Sequence, residues 1–181
     1  MKRLIGAVAL ALVLIAGVAS AQSGTPQHAK GGLGFHNVEA PLGVRWWMND
    51  KLALDAAVGI GSEEDTGLDE SFSHWAIDVG VPIRLQSFDK LHFILRPGLL
   101  YMSQEIAIDP GPPVEKDNNT LMMIGAELEA EYFFTEQFSV SAAHGFALVN
   151  NNPAVGESSS DWGTTGSNFT NIGFHVYVFG E

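Results

Sequence analysis

Glutamates stand at every second position in Glu127, Glu129 and Glu131, while Asp55, Asp78, Arg45, Arg84 and Arg96 hold the matching parity of their own alternating segments. Every second side chain of an extended strand points to the same side. These eight residues therefore converge on one interior if their strands close on one another, and His74, His92 and His175 share their parity. Five carboxylates and three guanidiniums in a narrow interior can form an ion-pair network, and the same groups could serve a proton path or a narrow pore. The network, in a lumen that conducts little, is the expectation. The surplus of acid calls for protonation, water or a bound cation.

Two other groups have suggestive chemistry. The run Glu63-Glu64-Asp65-Thr66-Gly67-Leu68-Asp69-Glu70 gathers hard oxygen donors, with Glu63, Glu64, Asp65, Asp69 and Glu70 as candidate ligands for a divalent cation. It lacks the Asp-x-Asp-x-Asp-Gly spacing of an EF-hand, so a hydrated acidic loop is the plainer reading. His144 and Glu157 resemble in type and order the His and downstream Glu of lipid A deacylases, eight-stranded barrels that act with a Ser two residues after the His, but that position here is Phe146. Ser139 and Ser141 precede His144 on the opposite parity, so no nucleophile is placed and no enzyme is expected.

The segments that must hold these groups alternate apolar and polar residues with the period of two of a half-buried strand. Leu52, Leu54, Ala56, Val58 and Ile60 face one way, and Lys51, Ala53, Asp55, Ala57 and Gly59 the other. Eight strands are predicted at 33–39, 42–48, 52–61, 72–85, 91–108, 120–134, 138–149 and 169–179. Tight polar turns at Asn49-Asp50-Lys51, Ser87-Phe88-Asp89-Lys90 and Thr135-Glu136-Gln137 alternate with connections at 39–41, 62–70, 109–119 and 150–168, most of them long and acidic. An even number of strands, with short turns on one rim and long loops on the other, is the layout of an antiparallel up-and-down transmembrane barrel. The hairpin formed by 91–108 and 120–134 is longer than the ~9–11 residues a tilted strand needs to cross, so it should project outside.

Which face points outward decides the surroundings. The polar face mixes Gly, Ala and Ser with a few charges of both signs and almost no Lys, which suits a crowded lumen better than a water-facing sheet. Aromatics cluster by the tight turns: Trp46, Trp47, Phe88, Phe133, Phe134, Phe138, Tyr177 and Phe179 are read as one interfacial girdle, and Phe72, Trp75, Tyr101, Phe146 and Phe169 as the other. The alternative is a soluble, lipocalin-like ligand-binding barrel with the faces reversed.

Residues 1–21 read as a signal peptide: Lys2-Arg3, an apolar stretch, then Ala19-Ser20-Ala21 before a cleavage site. Residues 22–181 are then one barrel domain. Loss of Lys2 and Arg3 takes the formal charge from −12 to −14, which speaks against nucleic-acid binding and against docking on anionic lipid through a basic patch. The chain has no cysteine, so lipidation at a lipobox, disulfides and thiolate metal sites are excluded. No cofactor is expected.

Two segments, Pro41-Leu42-Gly43-Val44-Arg45-Trp46-Trp47-Met48-Asn49-Asp50-Lys51-Leu52 and Gly173-Phe174-His175-Val176-Tyr177-Val178-Phe179, give the chain its closest family likeness. With the signal, tight turns and long acidic loops, it resembles the eight-stranded OmpA-like outer-membrane β-barrel family, without the peptidoglycan-binding domain some members carry. The resemblance implies insertion by the barrel assembly machinery, for which the terminal segment looks like the recognition signal, and contact with outer-membrane lipid and lipopolysaccharide. The family includes adhesins, structural proteins and lipid A-modifying enzymes, so a structural or surface-interaction role leads, with an extracellular partner expected at loop 150–168 and lipid A modification as the alternative.

Overall fold

A computed structural model of the chain describes residues 30–65, 67–109, 111, 113–164 and 170–179. The expected signal peptide lies outside the described residues. Ten strands are formed: β1 Gly31–Phe35, β2 Leu42–Trp47, β3 Ala53–Asp65, β4 Glu70–Gly80, β5 Ile83–Phe88, β6 Leu91–Asp109, β7 Glu115–Phe133, β8 Phe138–Asn152, β9 Ser159–Gly163 and β10 Thr170–Phe179. Neighbours pair antiparallel, and β10 closes the sheet by pairing with both β8 and β1. Because β4 and β5 together make one wall and β9 only extends β8, the closed barrel has eight strands. No helix occurs among the described residues.

The predicted fourth strand, 72–85, is interrupted at Val81 and Pro82. Proline has no N–H to give the ladder, and the chain steps through this point on other bonds, from Ala53 N–H to the Pro82 carbonyl and from Val81 N–H to the Pro97 carbonyl, both 2.9 Å. The tight turns follow from their side chains. Asn49 Oδ1 accepts the N–H groups of Lys51 and Leu52 at 2.9 and 3.0 Å, Thr135 Oγ1 accepts those of Gln137 and Phe138 at 3.3 and 3.0 Å, and Asp89 adopts a left-handed φ of 50°.

The first strand is shorter than expected. It stops at Phe35, and residues 36–40 fold into the barrel mouth, burying His36, Asn37 and Ala40, with Asn37 Oδ1 accepting the Ala40 N–H at 2.6 Å. Gly59 permits this plug, since a Cβ there would run into the carbonyl oxygen of Glu39. Gly59→Val is accordingly expected to cost about 1–3 kcal/mol of overpacking strain and to expel the plug. Hydrogen exchange at the Ala40 amide checks this, and should speed up in the variant.

Alternation is obeyed in three dimensions. Leu33, Val44, Leu54, Ile77, Leu128 and Val176 are among the large apolar side chains left exposed on the outside, while Arg45, Asp78, His92, Arg96, Glu129 and Glu131 are buried inside. The interior is layered. On the tight-turn side lies an apolar floor of Trp47, Ala53, Ile94, Phe133 and Tyr177, next a charged layer, then an apolar layer built around Ala57, Ala76, Met123 and Ala147. Trp47, Phe133 and Tyr177 are thus not girdle residues as expected: their parity is that of the lumen, while their neighbours Trp46, Phe134, Val176 and Val178 face out. Of the other expected girdle, Trp75 and Phe146 are exposed and Trp75 packs on Tyr101 at 5.2 Å. Phe72 sits beneath Lys116 Nζ, 4.9 Å from its ring centre, and Phe169 lies outside the described residues.

Candidate functional site

Register places the charged layer. Arg45 faces Asp55 across the β2–β3 pair, and Arg96 faces Glu127 across β6–β7, so each guanidinium starts beside one carboxylate. Arg45 then reaches across the lumen, donating from Nη1 and Nη2 to the two carboxylate oxygens of Glu129, each at 2.9 Å, and from Nη2 to Asp55 at 3.1 Å. A guanidinium's planar fork suits this two-point grip. Arg96 donates from Nη2 to Asp55 and Asp78, both at 2.8 Å, and lies 3.5 Å from Glu127. Asp55 therefore bridges the two arginines. Gly80 makes room for this junction, since a Cβ there would lie 2.5 Å from both the Arg96 guanidinium and an Asp55 oxygen.

Neutral donors and histidines occupy the remaining acceptor positions. Asn37 in the plug donates to Asp78 and Asn171 on β10 to Glu127, each at 2.5 Å, while His36 Nε2 lies 3.2 Å from Glu127. Below them, Glu131 Oε1 accepts the Ser139 hydroxyl at 2.7 Å and the Tyr177 hydroxyl at 2.9 Å, and His175 Nδ1 stands 3.6 Å away. Seven of the eight candidate residues are brought together. The eighth, Arg84, is not: it lies over the Trp47 ring at 4.1 Å and donates to the Asp50 carbonyl at 2.9 Å. The break at Pro82 and a bulge between Arg84 and Gln86 carry it to the tight-turn rim, beyond the aromatic floor. Two guanidiniums, not three, therefore answer five carboxylates.

The lumen is crossed by the Arg45–Glu129 grip and closed below by the aromatic floor. On its outer side a cavity of about 50 Å³ is lined by Asn37, Asp78, Arg96, Glu127, Met123 and Asn171 among others. That is room for a few water molecules with polar partners to hold them.

The acidic segment forms a hairpin instead of a wrapping loop. Glu63, Glu64 and Asp65 end β3 opposite Phe72, Ser71 and Glu70, so their side chains alternate between faces. Asp65 Oδ1 accepts the Gly67 N–H at 2.8 Å, Asp69 takes a left-handed φ of 53°, and Glu70 pairs with Lys116 at 2.8 Å. Nearby, the Ser73 amide and hydroxyl both donate to Glu105 and hold its carboxyl below the usual range. Among the described residues the hairpin's acids do not converge as metal ligands. Segment 150–168 is likewise more ordered than a loop. β8 runs on to Asn152, the chain turns through Gly156 at φ 110°, and β9 pairs back onto residues 147–151, with Trp162 exposed and packed on Phe146 at 5.9 Å. Residues 165–168 lie outside the described set.

His144 points outward and its Nδ1 meets Thr170 Oγ1 at 2.8 Å. Glu157 lies past the end of β8 at Asn152, eight residues up the strand from His144, or roughly 27 Å at strand rise. A His–Glu pair is not assembled. His36, Asn37 and Asn171 were missed by the sequence reading, the first two because 33–39 reads as unbroken strand. Comparison of the chain with protein-family models, characterised proteins and solved structures returns no match.

Proposed function

We propose that this chain is an outer-membrane β-barrel of the OmpA-like kind, with a filled lumen and a structural or surface-interaction role carried by its outer hairpins. The observation that carries the reading is the inversion of the barrel. Between the tight turns and the outer hairpins the charged side chains Arg45, Asp78, Arg96, Glu129 and Glu131 are buried in the lumen, and large apolar side chains are exposed around the whole wall. Outward positions 75–79, 91–101, 124–132 and 172–178 hold no Asp, Glu, Lys or Arg. In water a continuous apolar belt of this kind would drive aggregation, whereas in hydrocarbon it is the favourable surface, with the closed ladder satisfying the backbone. A lipocalin-like barrel needs the opposite arrangement, an apolar interior to receive its ligand.

The hairpins at β3–β4, β6–β7 and β8–β9 extend beyond the belt and carry most of the remaining acid, so a partner there would be met by negative charge. Lipid A modification is not favoured, because no carboxylate is hydrogen-bonded to His144 among the described residues.

Single-tryptophan variants in vesicles of brominated lipid test the placement. Trp46, exposed in the belt, should be quenched strongly, and Trp47, inside the floor, only weakly. Equal, weak quenching of both would count against a bilayer setting.

A further inference from the structure

We propose that the lumen binds one divalent transition-metal ion of the zinc class, held by Glu129, Glu131 and His175. One ligand atom from each of these buried residues lies within 4.8 Å of the other two, and no other group of three or more His, Asp or Glu does so among the described residues. The second observation is independent of this clustering. Glu131 Oε2 and His175 Nδ1 are both buried without a hydrogen-bond partner, a costly condition unless something fills the gap.

The spacing fits an ion. His175 Nδ1 stands 3.6 Å from Glu131 Oε1, too long for a hydrogen bond, and Oε1 already accepts from Ser139 and Tyr177, so Oε2 is the oxygen left for an ion. Two ligands on one tetrahedral ion with bonds of ~2.1 Å are separated by roughly 3.4 Å, inside the 4.8 Å within which one ligand atom of each of the three residues lies. Around this pair the supports are in place: Ser139 and Tyr177 fix the Glu131 carboxylate, and Arg45 fixes that of Glu129 while leaving lone pairs on its oxygens. An imidazole with two carboxylates selects a zinc-like ion over magnesium or calcium.

The charge balance points the same way. With Arg84 outside the network, Arg45 and Arg96 leave three of the five lumen carboxylates unanswered. A dication answers two of them, and His36 lies between Glu127 and Asp78, its Nε2 3.2 and 4.0 Å from their oxygens. Arg45 Nη1 comes no closer than 3.9 Å to Glu131 Oε2, beyond hydrogen-bond reach. Because the site is enclosed, the ion is taken up as the barrel closes. It depends only on the closed barrel, so its failure is separable from failure of the membrane reading.

The test is to refold the chain in detergent with zinc present, dialyse against zinc-free buffer and measure metal per barrel by atomic emission. About one zinc should be retained, with Ser139→Ala weakening the affinity by about 10–100-fold and His175→Gln and Glu131→Gln abolishing retention. Should the glutamine variants fail to fold, the wild-type protein refolded with cobalt should show the visible absorption of a four-coordinate ion. Absence of both retained zinc and a cobalt spectrum in the wild-type barrel would overturn the proposal. Equal zinc retention by folded His175→Gln would do so too, by placing the metal elsewhere, such as on the outer acidic hairpins.

Discussion

Arg45→Met is expected to destabilise the folded barrel by about 3–5 kcal/mol, the usual cost of stripping one member from a buried ion pair. Arg45 is fully buried and, among the described residues, is the only guanidinium that grips Glu129, and it shares Asp55 with Arg96. Methionine fills similar volume but leaves Glu129 unpaired in an interior already rich in acid. The sign of a second substitution isolates the cause. Adding Glu129→Gln removes the stranded charge and should recover much of the loss, even though it deletes another native partner. Urea titration of the compact band on unheated gels measures both effects. A cost below about 1 kcal/mol, the range of exposed pairs, would mean the charged layer is open to water.

Ile77→Arg is the second large effect, because its expected size depends on what surrounds the wall. Ile77 lies on the outer face of β4 between Val58 and Tyr101 and is 43% exposed. Arginine on the lipid face near the bilayer midplane costs about 2–4 kcal/mol. The same change on a water-facing wall would be close to neutral. Ser160→Arg, exposed on β9 beyond the belt, serves as control and should shift stability little in either solvent. Folding free energies of the two variants therefore separate the two surroundings by the size of the Ile77→Arg cost, a few kcal/mol in lipid and close to none in water.

Much of this architecture is legible in the sequence because strand parity is a strict code. The segment 42–48 becomes β2 within one residue, and seven of eight predicted lumen charges meet, since a period of two leaves a strand only two choices. Other features lie beyond what parity alone can reach. Nearness to turns suggests a girdle for Trp47, Phe133 and Tyr177, but the pairs Trp46-Trp47 and Phe133-Phe134 must split between the two faces. Parity carried through Pro82 puts Arg84 in the lumen, but the strand breaks there and a bulge follows between Arg84 and Gln86. The plug was hidden because His36 and Asn37 sit in a stretch that alternates acceptably. It turns inward only because Asp78 and Glu127 offer acceptors and Gly59 offers space, facts of tertiary structure. The outer hairpins looked like loops because polar strands in water lack the alternation that marks a half-buried wall.

The claim beneath all of these is that the barrel lives in a membrane with its apolar face outward. Its most direct test is fractionation of expressing cells, followed by gel electrophoresis of unheated and boiled samples. The account predicts a band in the outer-membrane fraction that runs as a compact species until boiled and then shifts to the unfolded position. A protein found in the soluble periplasmic fraction, with the same mobility before and after boiling, would contradict it.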